Sequence, residues 1–299
     1  VRLAVSDRLL LTGTRCMQHL EFFHKDHFEQ HYYRTPPPAG LAHFIDFFWE
    51  TRFDDLWAHF PQGFSDALFP NVGYTYLINL GTPFVMELED RKYEMKTDGF
   101  LPRHTCLECY HRPGNKIFGI KFRISPVLFL KKINFAEYRE YIFPLSYLLD
   151  QAVLDSMKAA GSFDERAAII SAHYLAVLQQ HPEKMQAVKI VREILDNSFR
   201  KNTFNVPVEE WAAHYHISTR TLQRYFESTT GISSKKALQF MRIRKAAAHI
   251  AGSPHTFHYS HYGYYDHSHF YKHLKAFLKK DTLARLQPHL RLLETLHKS

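Results

Sequence analysis

The side chains best suited to recognition chemistry are donors and cations set on short, apolar-backed repeats. In Ser218-Thr219-Arg220-Thr221-Leu222-Gln223-Arg224-Tyr225-Phe226, Leu222 and Phe226 lie four apart and share one helix face. Ser218 is a natural N-cap for that helix. Thr219, Arg220, Thr221, Gln223 and Arg224 are then left near its exposed start, and with Ser218 they form the expected DNA-binding set of this segment. Guanidinium and amide groups can pair bidentately with guanine and adenine edges in a major groove, and hydroxyls can reach bases or phosphates. A second segment repeats the design. Asp266 is positioned to cap a helix in which Phe270 and Leu274 are the core pair. His267, Ser268, His269, Tyr271, Lys272 and Lys275 form its outer set, richer in phosphate-type contacts than in bidentate ones.

Each helix needs a partner to position it. Upstream of the first lies Val208 to Tyr215, with Ala212 and Ala213 small where two helices would cross, and then a tight turn at His216-Ile217. Upstream of the second lies Tyr259 to Tyr265. Placing Leu222 on Phe270 and Phe226 on Leu274 gives an internal repeat of 48 residues. The alanines at 237, 246, 247 and 248, with Leu238 and Met241, predict a long connecting helix over Lys235 to Ala251. Trp211 and Phe270 read as core anchors rather than base-stacking platforms.

Charge agrees with this reading. Residues 183–299 hold 19 Lys+Arg against 9 Asp+Glu, an excess of +10, while the first 182 residues hold 19 against 21. A basic unit joined to a near-neutral one is the electrostatic footprint of nucleic-acid binding. Other chemistry finds little support. No phosphate-cradling glycine loop and no nucleophile elbow is present. The run His104-x-Cys106-x2-Cys109-x-His111 has metal-ligand residue types, but residues 104 and 106 would share one strand face and 109 and 111 the other. Half-buried thiols beside histidines are the simpler reading, and likewise phosphate-facing helical positions for His255, His258, His261, His267, His269 and His273. No cofactor, metal site or catalytic residue is expected.

The first half reads differently. After Pro36-Pro37-Pro38-Ala39-Gly40, short aromatic and β-branched runs predict strands at Phe44–Phe53, Tyr74–Leu80, Phe84–Leu88, Cys106–His111 and Ile117–Phe122. Turn chemistry separates them. From about Pro126 the pattern turns helical. Asp164 is placed to cap a helix through Ile169, Ile170, Tyr174, Leu175 and Leu178, and Met185, Val188, Val191, Ile194 and Leu195 mark another. Phe47, Trp49, Tyr74, Tyr76, Phe118 and Phe122 are set either to line a pocket or to fill a core.

The second half resembles the AraC/XylS family of regulators. The resemblance rests on Leu222-x3-Phe226, Gly231-Ile232-Ser233, Arg242-x3-Ala246, Gly263-Tyr264, Asp266-x-Ser268-x-Phe270 and Leu274-Lys275, and spans roughly Lys184 to Leu290. It departs from the family at Ser234 and Thr282, where Pro is usual, at Lys279, where Gly is usual, and at Ser260, where Ala is usual. It implies that both helix-turn-helix units sit on one rigid domain and enter successive major-groove turns. More weakly, Phe47-Phe48-Trp49, Pro70-Asn71-Val72-Gly73, Asn79-Leu80-Gly81 and Phe118-Gly119-Ile120-Lys121-Phe122 resemble the cupin-like sensor modules that precede such domains.

The expected fold class is therefore α+β: an N-terminal β-rich, cupin-like barrel or sandwich with helices, then a C-terminal all-α domain of two helix-turn-helix units joined by a long helix. The expected organisation is a poorly defined leader at 1–26, a cupin-like sensor or dimerisation domain at 27–161, a connector helix at 162–182 and an AraC-type DNA-binding domain at 183–299. The expected role is an effector-responsive, sequence-specific regulator of transcription and not an enzyme. Double-stranded DNA is the expected partner. A small-molecule effector, RNA polymerase and a second copy forming a homodimer are further candidates. The three cysteines (Cys16, Cys106, Cys109) make no disulfide framework, which favours the reducing cytoplasm, and no membrane contact is expected. Two other readings are a DNA-repair alkyltransferase-like protein and a cupin metal-binding protein. The latter's only candidate ligands are His104, Glu108 and His111.

Overall fold

In a computed structural model of the chain, residues 31–278 are described, except 69, 102, 130–140 and 253–255. The expected leader, Cys16, His255 and the departures at Lys279 and Thr282 lie outside the described residues.

The fold is α+β, with an antiparallel β-rich first part and a helical second part. The strands are β1 (Tyr32–Thr35), β2 (Ile45–Arg52), β3 (Ser65–Leu68), β4 (Thr75–Asn79), β5 (Phe84–Leu88), β6 (Arg91–Met95), β7 (Gly99–Leu101), β8 (Leu107–Tyr110), β9 (Lys116–Phe122) and β10 (Phe143–Pro144). They form a six-stranded sheet, ordered β1-β2-β9-β4-β7-β10, and a four-stranded sheet, ordered β3-β8-β5-β6. A short helix α1 (Asp54–His59) follows β2.

β2 is buried at every position from Ile45 to Thr51. Continuous burial arises because both faces of the six-stranded sheet are covered, so the apolar run in the sequence has no polar alternation. Phe47 and Trp49 face the four-stranded sheet with Leu77, Met86, Leu88 and Leu107. Phe48, Tyr74, Tyr76, Phe118 and Phe122 face the opposite way, toward helices. The six aromatics expected to share a pocket or a core are thus divided between two layers. Trp49 is paired across the strands with Gly119, and its indole occupies the space where a Cβ on Gly119 would stand.

Helices α2 (Gln151–Ala159) and α3 (Phe163–Gln180) cover that second layer. Ile170, Tyr174 and Leu178 of α3 are buried in it, and the Tyr174 ring lies 5.1 Å from Phe44 and 5.4 Å from Phe122. Burial raises the Tyr174 and Tyr76 phenols well above their ordinary value. Arg166 anchors the helix electrostatically: its guanidinium donates twice to Glu50 of β2, at 2.7 and 3.2 Å. The N-cap of α3 is Ser162, not Asp164. Its hydroxyl accepts from the Glu165 amide while the Glu165 carboxylate reaches back to the Ser162 amide. A capping box satisfies two end amides at once, which Asp164 inside the first turn cannot do.

The helical second part contains α4 (Met185–Lys201), α5 (Val208–His214), α6 (Thr219–Thr230), α7 (Ser234–Gly252) and α8 (His267–Leu278). Val191, Ile194 and Leu195 of α4 pack with Ala212, Leu222, Phe226, Leu238, Met241, Phe270 and Leu274 in one cluster. That cluster also includes Val72 of the β-rich part. The two parts are bonded as well as packed. The Ser125 amide donates to the Thr229 carbonyl at 2.7 Å, and the buried Arg244 donates to the Pro70 carbonyl at 3.0 Å.

Candidate nucleic-acid interface

The two expected reading helices are α6 and α8. Their core pairs, Leu222 with Phe226 and Phe270 with Leu274, are all buried in the same cluster, so one core fixes both helices. α7 runs between them as the long connecting helix.

In the first unit, α5, a turn through His216 and α6 follow one another over Val208 to Thr230. His216 adopts a positive φ of 53°, which lets the chain reverse within a few residues. Ser218 caps α6: its hydroxyl accepts from the Thr221 amide at 3.0 Å and lies 2.9 Å from the Thr221 hydroxyl. Both hydroxyls therefore serve the helix end. Arg220 and Arg224 are exposed on the side away from Leu222 and Phe226, while Thr219, Thr221 and Gln223 are partly buried.

Gln223 is held from behind. Its carbonyl oxygen accepts from the Ser234 hydroxyl at 2.9 Å, and its amide nitrogen donates to Glu227 at 3.4 Å. Ser234 stands where the family resemblance carries Pro, and the hydroxyl makes a bond that Pro could not. Glu227, exposed one turn beyond Gln223, was missed by sequence reasoning. An acidic side chain is an unexpected element of a surface read for cations, and its orientation through Gln223 and Ser234 is a tertiary effect.

The second unit is not a full copy of the first. Its leading element is a single 3-10 turn, Tyr259–Tyr262, ended by Gly263 at φ 72°. Gly263 can adopt that left-handed conformation without steric cost, and a Cβ there would strike the Asn205 amide. α8 starts as expected, with the Asp266 carboxylate accepting from the His269 amide at 2.7 Å. Ser268, Lys272 and Lys275 are exposed. His267 stacks on Tyr271 at 5.8 Å, and the Lys275 ammonium lies 4.6 Å from the Tyr271 ring centre. His269 and His273 are in edge contact at 4.5 Å. Burial, then the nearby His269, Arg242 and Lys272 charges, hold His273 below its ordinary pKa. Tyr265, 92% exposed in the turn before the cap, also escaped sequence reasoning, because nothing in its spacing separates it from the core tyrosines.

The histidine–cysteine run is dispersed. His104 packs on Tyr74 and Phe240. His111 stacks on Phe53 and bonds to Asn115 at 2.8 Å. Glu108 accepts from Ser65 at 3.0 Å, Cys109 is buried and Cys106 partly so. Among the described residues no group of three or more His, Cys, Asp or Glu side chains is gathered as a metal site, and no helix is long and apolar enough to cross a membrane.

No family model and no curated protein matches the chain. Solved structures of ToxT from Vibrio cholerae are similar to it at low identity. The P21 crystal form is 10% identical with a TM-score of 0.37, covering 82% of this chain and 92% of ToxT. The unsaturated fatty acid-bound wild type is 12% identical with a TM-score of 0.37, covering 83% and 90%. The complex with (E)-4-(8-methylnaphthalen-1-yl)but-3-enoic acid is 12% identical with a TM-score of 0.38, covering 83% and 93%.

Proposed function

We propose that the chain is a sequence-specific, double-stranded DNA-binding regulator of transcription, not an enzyme, whose helices α6 and α8 read two successive major grooves. The observation that carries this reading is the pair of capped helices, 48 residues apart in sequence, whose inner faces share one core and whose outer faces expose Arg220 and Arg224 on one and Ser268, Lys272 and Lys275 on the other. A rigid pair of short helices with cationic outer faces suits a polyanion with two equivalent grooves. The excess of +10 in this half supplies the long-range attraction.

On this reading the β-rich part is the sensor or dimerisation module. Its bonds to Thr229 and Thr230 at the end of α6 give it a physical route to the first reading helix. Selection of duplexes from a random pool by the full chain tests the proposal. Enrichment of a bipartite motif with halves about 10–10.5 base pairs apart supports it. A pool that stays random after repeated rounds rejects it.

A further inference from the structure

Among the described residues, the large apolar side chain left most open to water stands at the leading end of α8. Tyr265 is 92% exposed, against 66% for Tyr147, the next in order. Single aromatic rings on a surface are common, so exposure alone decides nothing. What distinguishes Tyr265 is that its two neighbours in the chain are both anchored.

On one side Tyr264 is buried, its ring 5.2 Å from that of Phe270, with the Arg242 guanidinium 3.5 Å from its ring centre. On the other side the Asp266 carboxylate accepts from the His269 amide and closes the first turn of α8. The backbone through 264–266 is therefore pinned at both ends. A residue between a buried ring and a helix cap has one direction left, outward past the helix start. His267 and Ser268, in the first turn, are exposed at that same end.

We infer that Tyr265 reads thymine, its ring packing on the C5-methyl group of a thymine in the major groove that α8 enters. This inference rests on the proposed reading of α6 and α8 as a paired DNA reader. Residues at the start of a reading helix are the ones brought to base edges. Bases in a duplex are stacked, so they offer a side chain their edges and not their faces. The thymine methyl is the apolar group among the major-groove edges, and an apolar side chain is its usual partner. His267 and Ser268 can take the hydrogen-bonding edges, and Tyr265 adds an apolar contact for which neither is suited. When the methyl and the ring meet, both apolar surfaces leave water, which favours the contact.

The test uses the full chain and the duplex that it selects from a random pool. Each thymine is replaced in turn by deoxyuridine, which deletes only the methyl group. At one position the replacement is expected to weaken the wild type about fourfold, the worth of one buried methyl-sized group. Tyr265→Ala is expected to lose at least as much on the thymine duplex and to be indifferent to uracil at that position. Tyr265→Phe, which keeps the ring and removes the hydroxyl, is expected to match the wild type on both duplexes. A selected motif without thymine, or a wild type indifferent to uracil at every position, overturns the inference. So does a Tyr265→Ala variant that keeps full affinity or full sensitivity to uracil. A Tyr265→Phe variant as weak as Tyr265→Ala assigns the loss to the hydroxyl and overturns the methyl contact. All of these outcomes are read on a duplex that the chain binds, so they leave the DNA-binding proposal standing. A wild type that selects no duplex removes both.

Discussion

The Tyr74 hydroxyl donates to the Thr230 carbonyl at 3.2 Å, joining the residue before β4 to the last turn of α6. The same phenol ring stacks on Phe100 at 5.2 Å, nearly parallel, within the aromatic layer of the six-stranded sheet. One side chain therefore belongs both to the β-rich core and to the end of α6. Tyr74→Phe keeps the ring and deletes the bond. It is expected to lower stability by about 0.5–1.5 kcal/mol, the usual net worth of a protein hydrogen bond. A denaturant titration that shows an unchanged midpoint contradicts this.

The Glu50–Arg166 pair is expected to be stronger than a surface ion pair. The two side chains are 6% and 4% exposed, and Lys116 adds a further contact to Glu50 at 2.9 Å. Removing one partner strands a buried charge, at a cost of about 3–5 kcal/mol. Arg166→Met should therefore destabilise far more than the double change with Glu50→Leu. Equal midpoints for the single and double variants argue against a desolvated pair.

The sequence made some of this legible and hid the rest for identifiable reasons. The apolar runs of β2, β4, β5, β8 and β9 stand out because those strands are buried on one or both faces. β6, Arg-Lys-Tyr-Glu-Met, was invisible because it is an edge strand with mostly exposed side chains, the kind of charged edge that resists pairing with other chains. The caps Ser218 and Asp266 could be read because an N-cap acts within three residues. The Ser234–Gln223–Glu227 chain could not, since it joins residues eleven apart through a helix end. The shortness of the element before α8 was equally hidden, because Tyr259–Tyr265 carries the same residue types as a full helix.

Stability should fall on acidification. Burial lowers the pKa of His249, His273, His43 and His173 below the ordinary histidine value of 6.5. With folded pKa values depressed, the unfolded chain binds protons first as pH drops. The contribution of these groups is then fully present above about pH 6.5 and lost as pH falls toward their folded values. His249 bonds to Tyr262 at 2.7 Å and Thr256 at 2.8 Å, so His249→Gln should flatten the slope between pH 7.5 and 5.5. Denaturation midpoints that rise toward pH 5.5 contradict the assignment.

The readers should divide their labour. Arg220→Ala and Arg224→Ala are expected to relax preference at particular base pairs, at about 1–3 kcal/mol each at the preferred site. Gln223→Ala should relax it less, because its amide is already engaged by Ser234 and Glu227. Lys272→Ala should weaken all sequences alike. Selection with each variant decides: a new preferred motif with Lys272→Ala, and an unchanged one with both arginine variants, reverses the assignment.

The most direct measurement of the central claim is the salt dependence of duplex affinity for the full chain, followed from low to near-physiological ionic strength. Log affinity is expected to fall linearly with log salt, with a slope of about −0.9 per phosphate neutralised. Lys272→Ala and Lys275→Ala should each make that slope shallower by about one unit. Binding that ignores salt, or no binding to any duplex, contradicts the account of α6 and α8 as a paired DNA reader.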